Sequence, residues 1–344
     1  MICPSSFDTR PFDKLRSAAQ DDTVGSAPLG VTAMILAVVL VAGCSGGATA
    51  YNSAASFETR ALRAPQDDTR SAGLIYNSSF GGNDVDYYLK DTGPNNPVAG
   101  SLSGDFNNPL GIGVDSHGDL YVANSGAENV LVYAKGSTSP TNTLSDPDKF
   151  PDDVAIGSDG TVYVSNGFGP MGASGNVAVY SAGATSPTQY LYSRDFLHVI
   201  GVALDKAGDL FVSCNATPGG GGTVVEFPAA STKGKQTHIS LGSAGGVGFD
   251  SAGHLLAIDQ QTPSLNVYEV GKKKPLYQLT LPGTSAYFAF NKDSTVLYVA
   301  DYGLGEVDVF HYKPNALKQI DKITNGIEPS NDNLGIADTP PQKL

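Results

Sequence analysis

One pattern returns six times along this chain, and it constrains the fold more than any other feature. Its fullest copy runs from Pro109 to Tyr133, PLGIGVDSHGDLYVANSGAENVLVY. Ile112 and Val114 alternate with Gly111 and Gly113, and Asp115-Ser116-His117-Gly118 makes a turn. Leu120 to Ala123 is a β-branched and aromatic run, Asn124 to Asn129 a second turn, and Val130 to Tyr133 a third run. Alternation with period two, broken by Asp, Asn and Gly, is the mark of short antiparallel strands.

The middle run recurs as Ile75-Tyr76, Leu120-Tyr121, Val162-Tyr163, Leu210-Phe211, Leu255-Leu256 and Leu297-Tyr298, at steps of 45, 42, 48, 45 and 42 residues. A third run follows each time, as at Val85–Tyr88, Val177–Tyr180 and Val307–Phe310. Fourth runs are weaker, as edge strands tend to be; Thr141 to Leu144, Gln189 to Tyr192 and Tyr277 to Leu281 are examples. A period of about 40 to 50 residues holding several strands is the signature of a propeller with one four-stranded sheet per unit. The first unit has no strand of the Pro-x-Gly type before Ile75. One stands instead at the far end, Asn333 to Asp338. The chain is therefore expected to be all-β, a six-bladed β-propeller whose ring is closed by N- and C-terminal strands, an arrangement that removes exposed edges.

Ahead of the repeat lies an apolar run, Val31 to Gly43, ending in Val41-Ala42-Gly43-Cys44. It is shorter than the roughly 20 residues a spanning helix requires. It has the length of a signal-peptide core. It resembles the bacterial lipoprotein box, in which a small residue precedes a cysteine that is lipidated and becomes the mature N-terminus. This implies lipidation at Cys44. Residues 45–72 are rich in Ala, Ser, Gly, Arg and Asp with no apolar period, the composition of a disordered tether. The expected organisation is a signal peptide over 1–44, a tether over 45–72 and the propeller over 73–340, in the cell envelope or secreted.

The net charge is −13 and the sequence pI about 4.6. Binding to nucleic acid or to an anionic membrane needs clustered Lys and Arg. The one basic cluster, Lys272-Lys273-Lys274, reads as a solvated turn. The expectation is a monomer with no nucleic-acid partner, meeting the membrane only through its lipid anchor. Cleavage before Cys44 would leave Cys214 as the one free thiol, so packing alone holds the fold.

Most repeated polar residues have a local use. Asp115/Gly118, Asp205/Gly208 and Asp250/Gly253 suit a hairpin turn in which Asp bonds its own backbone and Gly takes positive φ. Gly157 and Asn291 stand at the Asp position in two other copies, which suits a turn and not a metal. The residues ending the middle strand are Ser79, Asn124, Asn166, Cys214, Asp259 and Asp301, a set suited to capping the next turn. The recurring Tyr and Phe of the middle and third strands read as packing between blades.

The run Pro-x-Gly-apolar-x-apolar-Asp-x-x-Gly-x-Leu-Tyr-Val-Ala-Asn, followed by Asn-x-Val-x-Val-Tyr, resembles the NHL repeat. It is also similar to the YVTN-type and gluconolactonase-like propellers. The resemblance covers residues 73 to 338. It implies a module that binds or scaffolds an unknown protein or small-molecule ligand, or else a metal-dependent hydrolase of the lactonase type. Members of the latter kind hold a divalent cation at the mouth of the axial channel with Glu, Asn and Asp. First-strand entries line that mouth: Asn108, Phe150, His198, Ser243, Thr284 and approximately Asp332. Three residues further in stand Gly111, Asp153, Gly201, Gly246, Tyr287 and Gly335. The candidate binding set is Asn108, Asp153, His198 and Asp332, with Asp152 a substitute for Asp153. Asn108, Asp153 and His198 are the candidate ligands for calcium or zinc, because oxygen donors with one imidazole suit such cations. The family's glutamate is absent from these positions, so the expected role is binding, not catalysis.

Overall fold

The computed structural model describes residues 73–90, 94–169, 172–327 and 333–338. The signal and tether segments, Cys44 and Asp332 fall outside them. Every blade is a meander of short strands separated by the predicted turns. Blade 1 contains Leu74–Ser79 (β1), Asp84–Leu89 (β2) and Val98–Ser103 (β3). Blade 2 contains Pro109–Val114 (β4), Leu120–Asn124 (β5), Asn129–Tyr133 (β6) and Asn142–Ser145 (β7). Blade 3 is Pro151–Ile156 (β8), Val162–Phe168 (β9), Ser174–Tyr180 (β10) and Gln189–Leu191 (β11). Blade 4 is His198–Leu204 (β12), Leu210–Thr217 (β13), Gly220–Phe227 (β14) and Lys235–Gln236 (β15). Blade 5 is Ala244–Phe249 (β16), Leu255–Asp259 (β17), Ser264–Tyr268 (β18) and Tyr277–Thr280 (β19). Blade 6 is Ser285–Phe290 (β20), Val296–Asp301 (β21), Glu306–Lys313 (β22) and Ala316–Ile323 (β23). Asn333–Asp338 (β24) completes blade 1, whose sheet order is β24-β1-β2-β3, and the other five sheets follow chain order.

The expected ring closure is therefore present: β24 lies antiparallel to β1, pairing Tyr76 with Ala337. The inner strands pack in the cycle β24, β4, β8, β12, β16, β20 and back to β24. Burial follows the repeat. Val85, Val122, Val164, Val212, Leu256 and Leu297 are fully enclosed between blades. Tyr88, Tyr180 and Tyr268 fill the same layer, as the repeated aromatic positions predicted.

The turns behave as predicted. Asp115 Oδ1 accepts the amides of His117 and Asp119 at 2.8 and 2.9 Å, and Asp205 does the same for Ala207 and Asp209. Gly118, Gly208 and Gly253 sit at φ of 91°, 86° and 89°, where a Cβ would be strained. Of the middle-strand ends, Ser79, Asp259 and Asp301 cap the next turn, accepting from Gly82, Gln261 and Leu304. Asn124 and Asp259 also tie down the loop that enters the inner strand, accepting from Asn107 and from Gly242 and Ser243, and Asn166 bonds Asp146 and Asn176.

One feature had no counterpart in the sequence reading. Each inner strand carries a bulge, so that two of its residues face one on the middle strand. The bulged pairs include Leu110-Gly111, Asp152-Asp153, Ile200-Gly201, Gly245-Gly246 and Ala286-Tyr287. Bulges re-aim side chains, and here they point toward the ring axis. Three blades brace the bulge with a serine. Ser165 Oγ accepts from the Asp153 amide at 2.8 Å and donates to Ile200 O of the next blade at 2.6 Å. Ser213 links Gly201 to Gly245, and Ser78 links Gly335 to Leu110, in the same way. Ala123, Ile258 and Ala300 hold this position in the remaining blades.

Candidate functional site at the propeller axis

Five of the bulges bring only apolar or glycine residues and one tyrosine to the axis. Blade 3 brings two carboxylates, Asp152 and Asp153, both buried. Room for them comes from the neighbouring blade: a Cβ on Gly111 would stand 2.4 Å from Asp153 Oδ1 and 2.7 Å from Asp152 O. A tyrosine comes from the opposite blade. Blades 3 and 6 are three steps apart around the ring in either direction, and Tyr287 of blade 6 donates its hydroxyl to Asp152 Oδ1. Its ring and hydroxyl cross the axis to do so.

His198 enters from blade 4. Its Nε2 lies 3.4 Å from Asp152 Oδ2. Its ring stacks on Phe168, with centroids 4.4 Å apart and planes 9° from parallel. Gly167 makes this approach feasible, since a Cβ there would sit 2.9 Å from Asp152 Oδ2 and 3.2 Å from His198 Nε2. Asp152 is thus the centre of the group, bonded by a phenol from across the ring and flanked by an imidazole from the next blade.

Asp153 points the other way and accepts the Val202 amide at 3.1 Å. Burial pushes its carboxyl up to about 7; the Val202 and Val154 amides pull it down, and the charge of Asp152 adds to the rise. Burial, then the charges of Asp152 and Asp153, hold the Tyr287 phenol well above its ordinary value, so it remains a donor. Beyond Tyr287 and Asp153 a cavity of about 220 Å³ runs toward the Asp-x-x-Gly turns, walled by Ile112, Val154, Val202, Val247, Phe288 and Ile336.

Of the residues predicted from sequence, Asp153 and His198 reach this region, with Asp152 between them. Asn108 is used elsewhere: its Nδ2 donates to Phe80 O at 3.0 Å and its amide donates to Asn83 Oδ1 at 2.7 Å. Among the described residues no group of three or more His, Cys, Asp or Glu side chains is placed to hold a metal ion. Tyr287 and Phe168 were not among the predicted site residues. The signal for the first was available, since Tyr287 occupies the position of Asp153 in its own blade. Cys214 is fully buried, and burial pushes its thiol up to about 12, with the charge of Asp195 adding to the shift, so it is a packed, unreactive thiol.

The fold and the plugged axis define a six-bladed β-propeller. No protein-family model matches the sequence, and no curated protein matches it. Solved structures resemble the fold. A chain of the nidogen/laminin complex superposes with a TM-score of 0.63 at 13% identity, over 79% of this chain and 100% of that one. A chain of hydrazine synthase from Kuenenia stuttgartiensis gives 0.54 at 15% identity, over 75% and 84%. Virginiamycin B lyase from Staphylococcus aureus gives 0.52 at 8% identity, over 74% and 85%. Likenesses at such identities show the fold alone.

Proposed function

We propose that the chain is an extracytoplasmic, lipid-anchored propeller that binds a protein or small molecule at the strand-entry mouth of its channel. The observation that carries this reading is the bridge between Tyr287 and Asp152. It links opposite blades and gathers Asp152, His198 and Phe168 at the strand-entry side of the inner strands. Ligands in ring folds collect where strand ends converge. The Gly43-Cys44 motif supports the anchor, and among the described residues no helix is long and apolar enough to cross a membrane. The binding reading is tested by affinity capture from the host envelope with the wild-type chain and with His198→Ala. Reproducible capture by the wild type alone supports it, and identical recovery by both removes the mouth from consideration. Detection of an unmodified mature peptide spanning Gly43-Cys44 would defeat the anchor.

A second reading, metal-dependent hydrolysis, draws on the same group. Asp152, Asp153, His198 and Tyr287 are buried titratable side chains gathered in one place, and a carboxyl near 7 is suited to proton transfer. Asp153 and His198, two of the ligands expected from sequence, do not converge as they stand, since Asp153 turns to the Val202 amide, so this reading requires that carboxylate to turn toward His198. Metal analysis of purified protein separates the two. Stoichiometric calcium or zinc, lost in Asp153→Ala, would replace the binding module with an enzyme.

A further inference from the structure

The turn between the third and fourth strands is built alike in blades 2, 3 and 5. Gly136, Gly183 and Gly271 take φ of 74°, 78° and 80°. The amides of Thr141, Thr188 and Leu276 then bond Val132 O, Val179 O and Val267 O at 2.7, 2.8 and 2.7 Å. In blades 2 and 3 the threonine hydroxyl doubles that bond, at 3.1 and 3.0 Å. The backbone demand is therefore the same in all three, and the side chains differ. Blade 2 carries Ser137-Thr138-Ser139-Pro140-Thr141-Asn142, and blade 5 carries Lys272-Lys273-Lys274-Pro275-Leu276-Tyr277. Blade 5 has given up a bonded hydroxyl for an exposed leucine. Val270, Leu276 and Tyr277 are 43%, 42% and 43% exposed, beside three exposed lysines. Each leaves about two-fifths of its surface in water beside those lysines.

The position of this turn matters as much as its composition. Antiparallel order places the first-to-second and third-to-fourth turns of every blade on one face. β1 is the second strand of its blade and antiparallel to β24, so the described chain enters blade 1 on that same face. Lys135, Lys206, Lys233, Lys292 and Lys313 lie on its other turns. Of its acids, Asp115, Asp205 and Asp293 bond the backbone of their own turns, Asp119 and Asp209 bond the Lys135 and Ala229 amides, and Glu269 is exposed beside Val270. The opposite face holds Glu128, Asp148, Asp195, Asp259, Asp301 and Glu306 against Lys149, Arg194 and Lys322, the last paired with Glu306 at 2.9 Å. A chain of net charge −13 thus keeps most of its lysines on the side where the tether attaches.

We propose that the Val270–Tyr277 turn docks on an anionic phospholipid surface, with Lys272, Lys273 and Lys274 at the headgroups and Val270, Leu276 and Tyr277 entering the interface. Basic and apolar groups together are what interfacial binding requires. This changes the expectation that the anchor alone meets the membrane. It rests on the anchored reading only for orientation: with the tether on the same face, docking turns the channel mouth away from the bilayer.

The test uses the full chain as purified from its host, mixed with vesicles of phosphatidylcholine alone or with phosphatidylglycerol added. Acetylation of lysines is followed by mass spectrometry, and the mass of the N-terminal peptide reports lipidation separately. The expected result is several-fold protection of Lys272–Lys274 in phosphatidylglycerol vesicles, none at Lys149, and reversal by salt. Leu276→Thr with Tyr277→Asn, the residues of blade 2, keeps the turn and weakens protection. Equal labelling in both vesicles overturns the proposal, whether or not the N-terminus carries lipid. Protection that arises only when host membrane proteins are present also overturns it, in favour of a protein partner.

Discussion

Tyr287 reaches across the propeller axis and donates its hydroxyl to the carboxylate of Asp152, a residue 135 positions away on the opposite blade. The bond ties two blades that share no edge. Loss of a donor from a buried carboxylate costs about 1–3 kcal/mol. Tyr287→Phe removes only the hydroxyl and is expected to lower stability by that amount in urea unfolding. An unchanged midpoint would show that the bridge contributes nothing to holding the ring.

Acid should stabilise this protein. Asp153 is pushed up to about 7, and burial likewise pushes Asp308 to about 7 and Asp301 and Asp86 to about 6. A carboxyl with a raised folded value holds its proton in the native state and releases it in the unfolded state. Stability is then greatest below about pH 4, falls as pH rises toward 7, and levels off above. Thermal unfolding across pH 4 to 8 measures the slope. Asp153→Asn removes its share, which at one pKa unit per about 1.4 kcal/mol is at most roughly 4 kcal/mol gained at pH 8. A slope of the opposite sign would contradict the burial of these groups.

The serine braces offer a comparison within one molecule. Ser165→Ala leaves the Ile200 carbonyl and the Asp153 amide without the hydroxyl that serves both. The expected cost is about 1–3 kcal/mol. Ser213→Ala should cost a similar amount, since its contacts to Gly201 and Gly245 are equivalent. Both hydroxyls end on one bulge, at Ile200 and Gly201, so the double variant should depart from additivity. Simple additivity would mean that the two braces act independently across β12.

Deleting residues 333–338 takes away the inner strand of blade 1 and bares the edge of β1. Unpaired edges recruit other chains. Such a truncated protein is expected to lose its cooperative melt and to sediment as aggregates. A monodisperse, folded product would show that closure by β24 is dispensable.

The ring was legible in the sequence because each blade repeats the same alternation. Even β24 could be placed from Asn333 to Asp338, since the first unit visibly lacked its opening strand. The turns were legible because Asp, Asn and Gly act locally there. The axial group was only half legible. Asp153 stood out as a carboxylate at a position that is mostly glycine in sister blades, and His198 as the one imidazole among the entry residues. Their contacts depend on bulges and on which blades face each other. Neither Tyr287 with Asp152 nor Phe168 with His198 follows from spacing along the chain. Asn108 looked equivalent to His198, yet its φ of 53° and its bonds to Phe80 and Asn83 commit it to the loop.

Blade 1 also has a mechanical consequence. Ser78 and Gly335 are bonded at 2.8 Å although 257 residues separate them. The described chain enters at β1 and leaves at β24, so tension on a tether would pass in and out through neighbouring strands of one sheet. Blades 2 to 6 form a loop outside that load path. Because Ile75 and Asp338 lie side by side in an antiparallel pair, a pull between these ends unzips β24 from β1 one bond at a time, and any ligand held by blades 3, 4 and 6 would feel it only after blade 1 had opened.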